Sequence, residues 1–226
     1  MWEPQRAALE QSFQVLRYDT RGHGQTSVTP GPYTIDQLGG DVVRLLDALK
    51  IERAHFCGIS MGGLIGQWLG VNAPQRVDRL VLCSTGAKIG TAEMWNARIE
   101  GIGKTGMKPV AATIIERWLT PEFRARDAAA TATALKMLEE SPADGYVANC
   151  AAIRDADLRE RSREIRARTM VVMGTKDPAT PPALGRTLAE SIPGAKYVEL
   201  DGSHIINVEA RDDFNRVVAE FLTSGA

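Results

Sequence analysis

Ser60 stands in Gly58-Ile59-Ser60-Met61-Gly62, between the apolar run Ala54-His55-Phe56-Cys57 and the helix-forming stretch Gly63-Leu64-Ile65-Gly66-Gln67-Trp68-Leu69. A G-x-S-x-G pattern between a strand and a helix sets a serine on a sharp, strained turn with its hydroxyl exposed. Glycines on either side relieve the crowding of such a turn. The helix start directs backbone N–H groups and a positive dipole end at whatever the hydroxyl attacks. The same five residues also suit a plain strand-to-helix turn whose serine caps the helix.

The partners available to Ser60 separate these readings. A serine is a weak nucleophile at neutral pH; it needs an adjacent base, and the base needs an orienting group. The chain has only 3 histidines. His204, in Asp201-Gly202-Ser203-His204, falls in a loop between the last predicted strand and the last predicted helix, and is the candidate base. His23 lies in the loop Arg21-Gly22-His23-Gly24, and His55 lies inside the strand ahead of Ser60 and reads as structural. The orienting acid is expected at another strand end. Asp177, in Gly174-Thr175-Lys176-Asp177-Pro178, has that place, although aspartate before proline is also a common turn former. The chain order Ser, Asp, His suits acyl transfer above one edge of a parallel sheet.

Five apolar runs read as buried strands: residues 13–19, 54–58, 79–84, 169–174 and 196–200. Continuous apolar character, rather than alternation, marks strands covered on both faces. Helical patterns lie between them. Thr34 and Gln37 have the spacing of a capping box, and Ile35, Leu38, Val42, Leu45, Leu46 and Leu49 follow at helical intervals. Further helices are expected at 61–72, 183–191 and 208–222. This alternation predicts an α/β fold, a doubly wound and mostly parallel sheet. It is interrupted between about residues 87 and 165, where four helices centre on 91–100, 110–119, 124–140 and 143–152. The expected division is a core of residues 1–87 and 165–226 with a helical cap of residues 88–164 inserted between strands. A cap there would wall off a pocket at the carboxyl ends of the strands, where open α/β sheets bind ligands; a helical appendage used in assembly is the alternative.

The bulk properties narrow the function class. With 226 residues, 44% hydrophobic, 24% charged and a net charge of −1, the chain offers nothing to attract nucleic acid or an anionic membrane. No apolar run approaches the roughly 18 residues of a membrane span. Met1-Trp2-Glu3-Pro4-Gln5-Arg6 lacks the apolar stretch of a signal peptide. Cys57 and Cys83 lie in apolar strands and Cys150 has no evident partner, which suits a reducing cytoplasm. Gly101-Ile102-Gly103-Lys104-Thr105-Gly106 matches a dinucleotide-binding pattern, but it follows a helix and is read as a loop between cap helices. No paired metal-ligand spacing occurs.

The chain resembles the α/β-hydrolases, and within them the 3-oxoadipate enol-lactonases of the β-ketoadipate pathway. The segments that carry this are Tyr18-Asp19-Thr20-Arg21-Gly22-His23-Gly24-Gln25-Thr26, Ala54 through Gly63, Leu82 through Gly90, and Asp201-Gly202-Ser203-His204-Ile205. The resemblance implies Ser60 as nucleophile, His204 as base and then acid, Asp177 as its orienter and the Met61 N–H as an oxyanion donor. It implies a small lactone or ester substrate and no metal or organic cofactor. The implied substrate carries a free carboxylate, which gives cap cations Arg98, Lys104 and Arg117 a possible role, and Trp118 is a candidate pocket residue. The resemblance also implies strands ahead of residue 1 that are missing here. One of these would lie between segments 13–19 and 54–58, and its loop would supply a second oxyanion donor. The expectation is therefore an N-terminally incomplete chain. Other carboxylesterases and cofactor-free haloperoxidases share the three-residue pattern, and an impaired fragment or ligand-binding module is the reading from a different class. The oligomeric state is not legible.

Overall fold

The computed structural model describes residues 1–225. Four parallel strands lie in the spatial order β1 (Ala54–Ile59), β2 (Val77–Cys83), β3 (Arg168–Gly174) and β4 (Lys196–Leu200). Ile59 pairs with Cys83, Cys83 with Val172, and Gly174 with Leu200, so all four carboxyl ends emerge on one edge. The helices are α1 (Glu3–Leu9), α2 (Ile35–Ala48), α3 (Met61–Asn72), α4 (Ala92–Thr105), α5 (Lys108–Trp118), α6 (Pro121–Arg126), α7 (Ala128–Glu139), α8 (Ala143–Asp155), α9 (Pro182–Ser191), α10 (Ile206–Glu209) and α11 (Arg211–Thr223).

The period of two along each strand sends alternate side chains to opposite layers. Val81, Cys83, Met170 and Val172 pack with Phe214, Val217, Val218 and Phe221 of α11. Leu80, Leu82, Val171 and Met173 pack on the other face with α2, α3 and α9, through Val42, Ile65, Leu69 and Leu188. Both faces are therefore covered over Leu80–Cys83 of β2 and Met170–Met173 of β3, which is why those stretches are apolar throughout, whereas β4 leaves Lys196 and Glu199 exposed. The α2 cap forms as its sequence predicts. Thr34 Oγ1 accepts from Gln37 N at 3.2 Å, and Gln37 Oε1 accepts from Thr34 N at 3.0 Å.

Helices α4 to α8 lie between β2 and β3 in the chain. Trp95 of α4 and Cys150 and Ile153 of α8 pack onto Leu64 of α3, while Ile114 and Ile115 of α5 and Leu138 of α7 join the layer that includes Ile59.

Four expectations change. Residues 13–19, expected as a strand, form none. A strand needs a ladder partner for its backbone groups, and β1 ladders only with β2; Phe13 instead sets its ring edge-on to His55, 5.5 Å between centroids. The helix expected over 124–140 is two, because the Asp127 carboxylate accepts from Ala130 N and starts α7 afresh. The helix expected over 208–222 is also two, broken at Ala210. Gly101 and Gly103 lie within α4 rather than in a loop, and only Gly106, at φ 75°, ends the helix. Among the described residues no helix is long and apolar enough to cross a membrane.

Candidate active site

Ser60 links β1 directly to α3, and its backbone takes φ 55°, ψ −111°. A non-glycine residue at positive φ carries roughly 1–3 kcal/mol of strain, so the surroundings must hold it there. Ser60 N donates to Cys83 O at 2.9 Å, and the Thr85 hydroxyl donates to Ser60 O at 2.9 Å. The glycines beside it have different reasons. A Cβ on Gly58 would fall 2.3 Å from Gly62 O, and one on Gly63 would fall 2.5 Å from Thr85 Cγ2. Gly62, expected to relieve crowding, has open space around its missing Cβ.

The Ser60 side chain does not cap α3, which removes the plain-turn alternative. The hydroxyl makes no hydrogen bond among the described residues, and Ser60 is half-buried. Met61 N–H belongs to the first turn of α3, where helix geometry provides no internal acceptor. It points along the positive end of the helix dipole, the field a developing oxyanion requires.

Asp177 follows β3 and His204 follows β4, and the structure joins them: His204 Nδ1 lies 2.8 Å from Asp177 Oδ2. Both are almost fully buried. Ala179 N at 2.7 Å and Thr180 N at 3.0 Å donate to Asp177 Oδ1, and the Thr180 hydroxyl donates to Oδ2 at 2.6 Å. Burial alone pushes the Asp177 carboxyl up, but the hydrogen bond and charge of His204, with the Thr180 bonds, more than offset it and leave it below its ordinary value. The acid stays ionised and fixes the proton on Nδ1, which leaves the Nε2 lone pair free to accept one. No hydrogen bond joins Nε2 to Ser60 among the described residues; such contacts are often long before substrate binds.

The histidine loop is fastened to the end of α5. Ser203 Oγ donates to Arg117 O at 3.0 Å, and Ile205 N donates to Trp118 O at 3.2 Å. Glu209 accepts from Ser203 N at 3.0 Å, from Thr120 N at 3.3 Å and from the Thr120 hydroxyl. Trp118 consequently lies beside His204, 6.1 Å between ring centroids. Thr85, Thr180 and Glu209 were missed in the sequence. Asp-x-x-Thr over 177–180 is the one local signal that pointed to any of them, as a turn whose hydroxyl returns to the aspartate.

The other candidates separate cleanly. His23 Nδ1 is 3.2 Å from Asn149 Nδ2 of α8 and its ring is 6.2 Å from Tyr146, so it ties the 21–24 loop to the inserted helices; burial lowers its pKa. His55 faces Asp78 at 3.3 Å on the far reach of β1. Lys104 pairs with Glu100 at 2.5 Å on an exposed surface. Arg117 donates to Pro178 O at 3.4 Å, next to Asp177, and Arg98 lies over the Trp95 ring at 5.1 Å.

Residues 1–105 match the family described as alpha/beta hydrolase fold, and residues 138–226 match that described as TAP-like protein. The chain is 42% identical to 3-oxoadipate enol-lactonase 2 of Acinetobacter baylyi, over 96% of this chain and 82% of that protein. It is 38% identical to 3-oxoadipate enol-lactonase 1 of the same organism, over 99% and 84%. Among solved structures it superposes on the enol-lactonase from Burkholderia xenovorans LB400 with a TM-score of 0.98 and 47% identity, covering 99% of this chain and 86% of that one.

Proposed function

This chain belongs to the α/β-hydrolase family, among the 3-oxoadipate enol-lactonases it matches, and we propose that it opens 3-oxoadipate enol-lactone to 3-oxoadipate through Ser60, His204 and Asp177. The observation that carries this is the buried Asp177–His204 pair, 2.8 Å apart, on the same sheet edge as a strained serine that caps nothing.

In this reading Ser60 Oγ attacks the lactone carbonyl as its proton passes to His204 Nε2. The carbonyl oxygen becomes an oxyanion that the Met61 N–H stabilises. Collapse breaks the ring C–O bond and expels the enol oxygen, which takes the proton held on His204 Nε2 and tautomerises to the ketone, leaving the imidazole neutral again. Water, losing its proton to His204, then attacks the acyl–Ser60 ester and releases the acid. An enol leaves easily, so protonation of the leaving oxygen matters less than in amide cleavage. Asp177 holds the imidazole tautomer throughout and stabilises the imidazolium.

The proposed arrangement is a core of residues 1–87 and 165–226 under a cap of 88–164, with Trp118 lining the substrate space beside His204. Three free cysteines support a cytoplasmic setting.

The test supplies the purified chain with the enol-lactone and with simple aryl esters, using Ser60→Ala as control. Turnover of the lactone well above that of the esters supports the reading. Preference for the simple esters would favour a general carboxylesterase, and binding without turnover above the control would leave a binding module.

A further inference from the structure

Both main-chain groups of Ser60 are held from the end of β2. Ser60 N donates to Cys83 O at 2.9 Å, and the Thr85 hydroxyl donates to Ser60 O at 2.9 Å. Ser60 O also accepts from Gly63 N at 2.9 Å and from Leu64 N at 3.2 Å at the start of α3, so Thr85 is the contact that ties it across to β2. Between Cys83 and Thr85 stands Ser84, whose φ is 42°. Ser84 N turns the other way and donates to Val172 O of β3 at 2.8 Å. Ser60 and Ser84 thus end adjacent strands, and both have the left-handed backbone that a Cβ disfavours.

The Ser84 side chain does not account for this conformation. Its hydroxyl is fully buried and has no hydrogen-bond partner among the described residues, which is itself unfavourable. The consequence of the turn lies at the next residue. In an extended strand successive side chains leave by the two faces of the sheet, so an undistorted residue 85 would not point across at a neighbouring strand. The turn at Ser84 breaks that alternation, and Thr85 reaches Ser60 O. The surroundings fit it closely. Thr85 is fully buried and fills the space that a Gly63 Cβ would need, with Cγ2 2.5 Å and Oγ1 2.7 Å from that point. The buried Gln67 amide donates at 3.2 Å to Gly63 O and at 3.2 Å to Gly86 O, which fastens the residue after Thr85 to the start of α3.

We propose that Ser84 is a positioning residue for the Ser60 nucleophile and acts through Thr85: the left-handed turn at the end of β2 holds the strained turn at the end of β1. This rests on the acyl-transfer reading of Ser60 and adds to it a pair of residues that act on the nucleophile from the neighbouring strand. A misplaced nucleophile loses rate rather than substrate affinity, so the pair governs kcat and leaves KM nearly alone.

The test follows hydrolysis of 4-nitrophenyl butyrate by folded variants, well below their melting temperatures. Thr85→Val keeps the shape and removes the donor; kcat falls about 3- to 10-fold, the range of one lost hydrogen bond, with KM changed by less than about twofold. Thr85→Ser keeps the donor and holds kcat within about twofold of wild type. Ser84→Gly takes positive φ freely and keeps at least about half of kcat. Ser84→Val resists positive φ and loses about tenfold or more, and adding Thr85→Val to it costs less than Thr85→Val does alone. Should Ser84→Val not fold, the two Thr85 variants and Ser84→Gly decide. Folded Thr85→Val with wild-type kcat overturns the inference, and so does a loss carried by KM with kcat intact. Ser84→Gly that loses as much as Thr85→Val overturns it too, because the hydroxyl and not the turn would then matter. Wild type that neither hydrolyses the ester nor takes a fluorophosphonate at Ser60 refutes the acyl-transfer reading, and the inference with it.

Discussion

Asp177→Asn changes one oxygen and should nearly abolish catalysis while leaving the fold intact. Asp177 Oδ1 accepts two backbone amides, from Ala179 and Thr180. Those amides hold the side-chain oxygen of an asparagine in the same place, so its NH2 group must occupy the Oδ2 position. There it meets the Thr180 hydroxyl and His204 Nδ1, which lie 2.6 and 2.8 Å from Oδ2. The hydroxyl can rotate to accept. The imidazole can accept only by moving its proton to Nε2, the atom that must take the proton of Ser60. The variant therefore stores the base in the wrong tautomer. Loss of the orienting acid in this way costs about 10⁴-fold in kcat, equivalent to about 5.5 kcal/mol of transition-state stabilisation. Stability should fall by far less, because each of the four polar contacts at residue 177 can be remade, the one to His204 only in the other tautomer. Steady-state kcat on an aryl ester, with a thermal melt of the same sample, reads both quantities. A folded Asp177→Asn variant retaining more than about a tenth of wild-type kcat would refute the tautomer argument.

Gly63→Ala places a methyl group 2.5 Å from Thr85 Cγ2 and displaces the hydroxyl that holds Ser60 O; a loss of about 1–3 kcal/mol in urea melts is expected, with a fall in kcat. Glu209→Ala strands Ser203 N and Thr120 N and frees the histidine loop from α5, so kcat should drop about tenfold or more with KM little altered, and Glu209→Gln should recover part of it. Asp177 has a depressed folded-state pKa, so its contribution to stability is complete above the ordinary carboxylate value of about 4 and is lost as pH falls through the lower folded value. The stability gap between wild type and Asp177→Asn, followed by chemical denaturation against pH, should narrow in acid; a gap that widens would contradict the assignment.

The residues proposed to react were legible as candidates because each is tied to a strand end. Ser60, Asp177 and His204 follow β1, β3 and β4 within a few residues, and parallel strands bring such positions to one edge whatever the loops do. Thr85 and Glu209 left no comparable trace, since their importance lies in contacts with Ser60 and Ser203 that only tertiary packing creates. Residues 13–19 have strand-like composition, yet a strand exists only through its ladder. The break at Asp127 was hidden by an alanine-rich pattern that runs through it, although aspartate is a strong helix cap. Gly101 and Gly103 suggested a loop on propensity alone, but each costs only about 1 kcal/mol in a helix, which packing of Trp95 and Ile102 on the same helix offsets.

Active-site labelling tests the central claim most directly. A fluorophosphonate forms a stable adduct only with a serine whose proton a neighbouring base removes. Peptide mapping by mass spectrometry should locate one adduct, on Ser60, and His204→Ala should slow its formation by about 10³-fold or more. Labelling at full rate without the imidazole, or at a serine other than Ser60, would contradict the account.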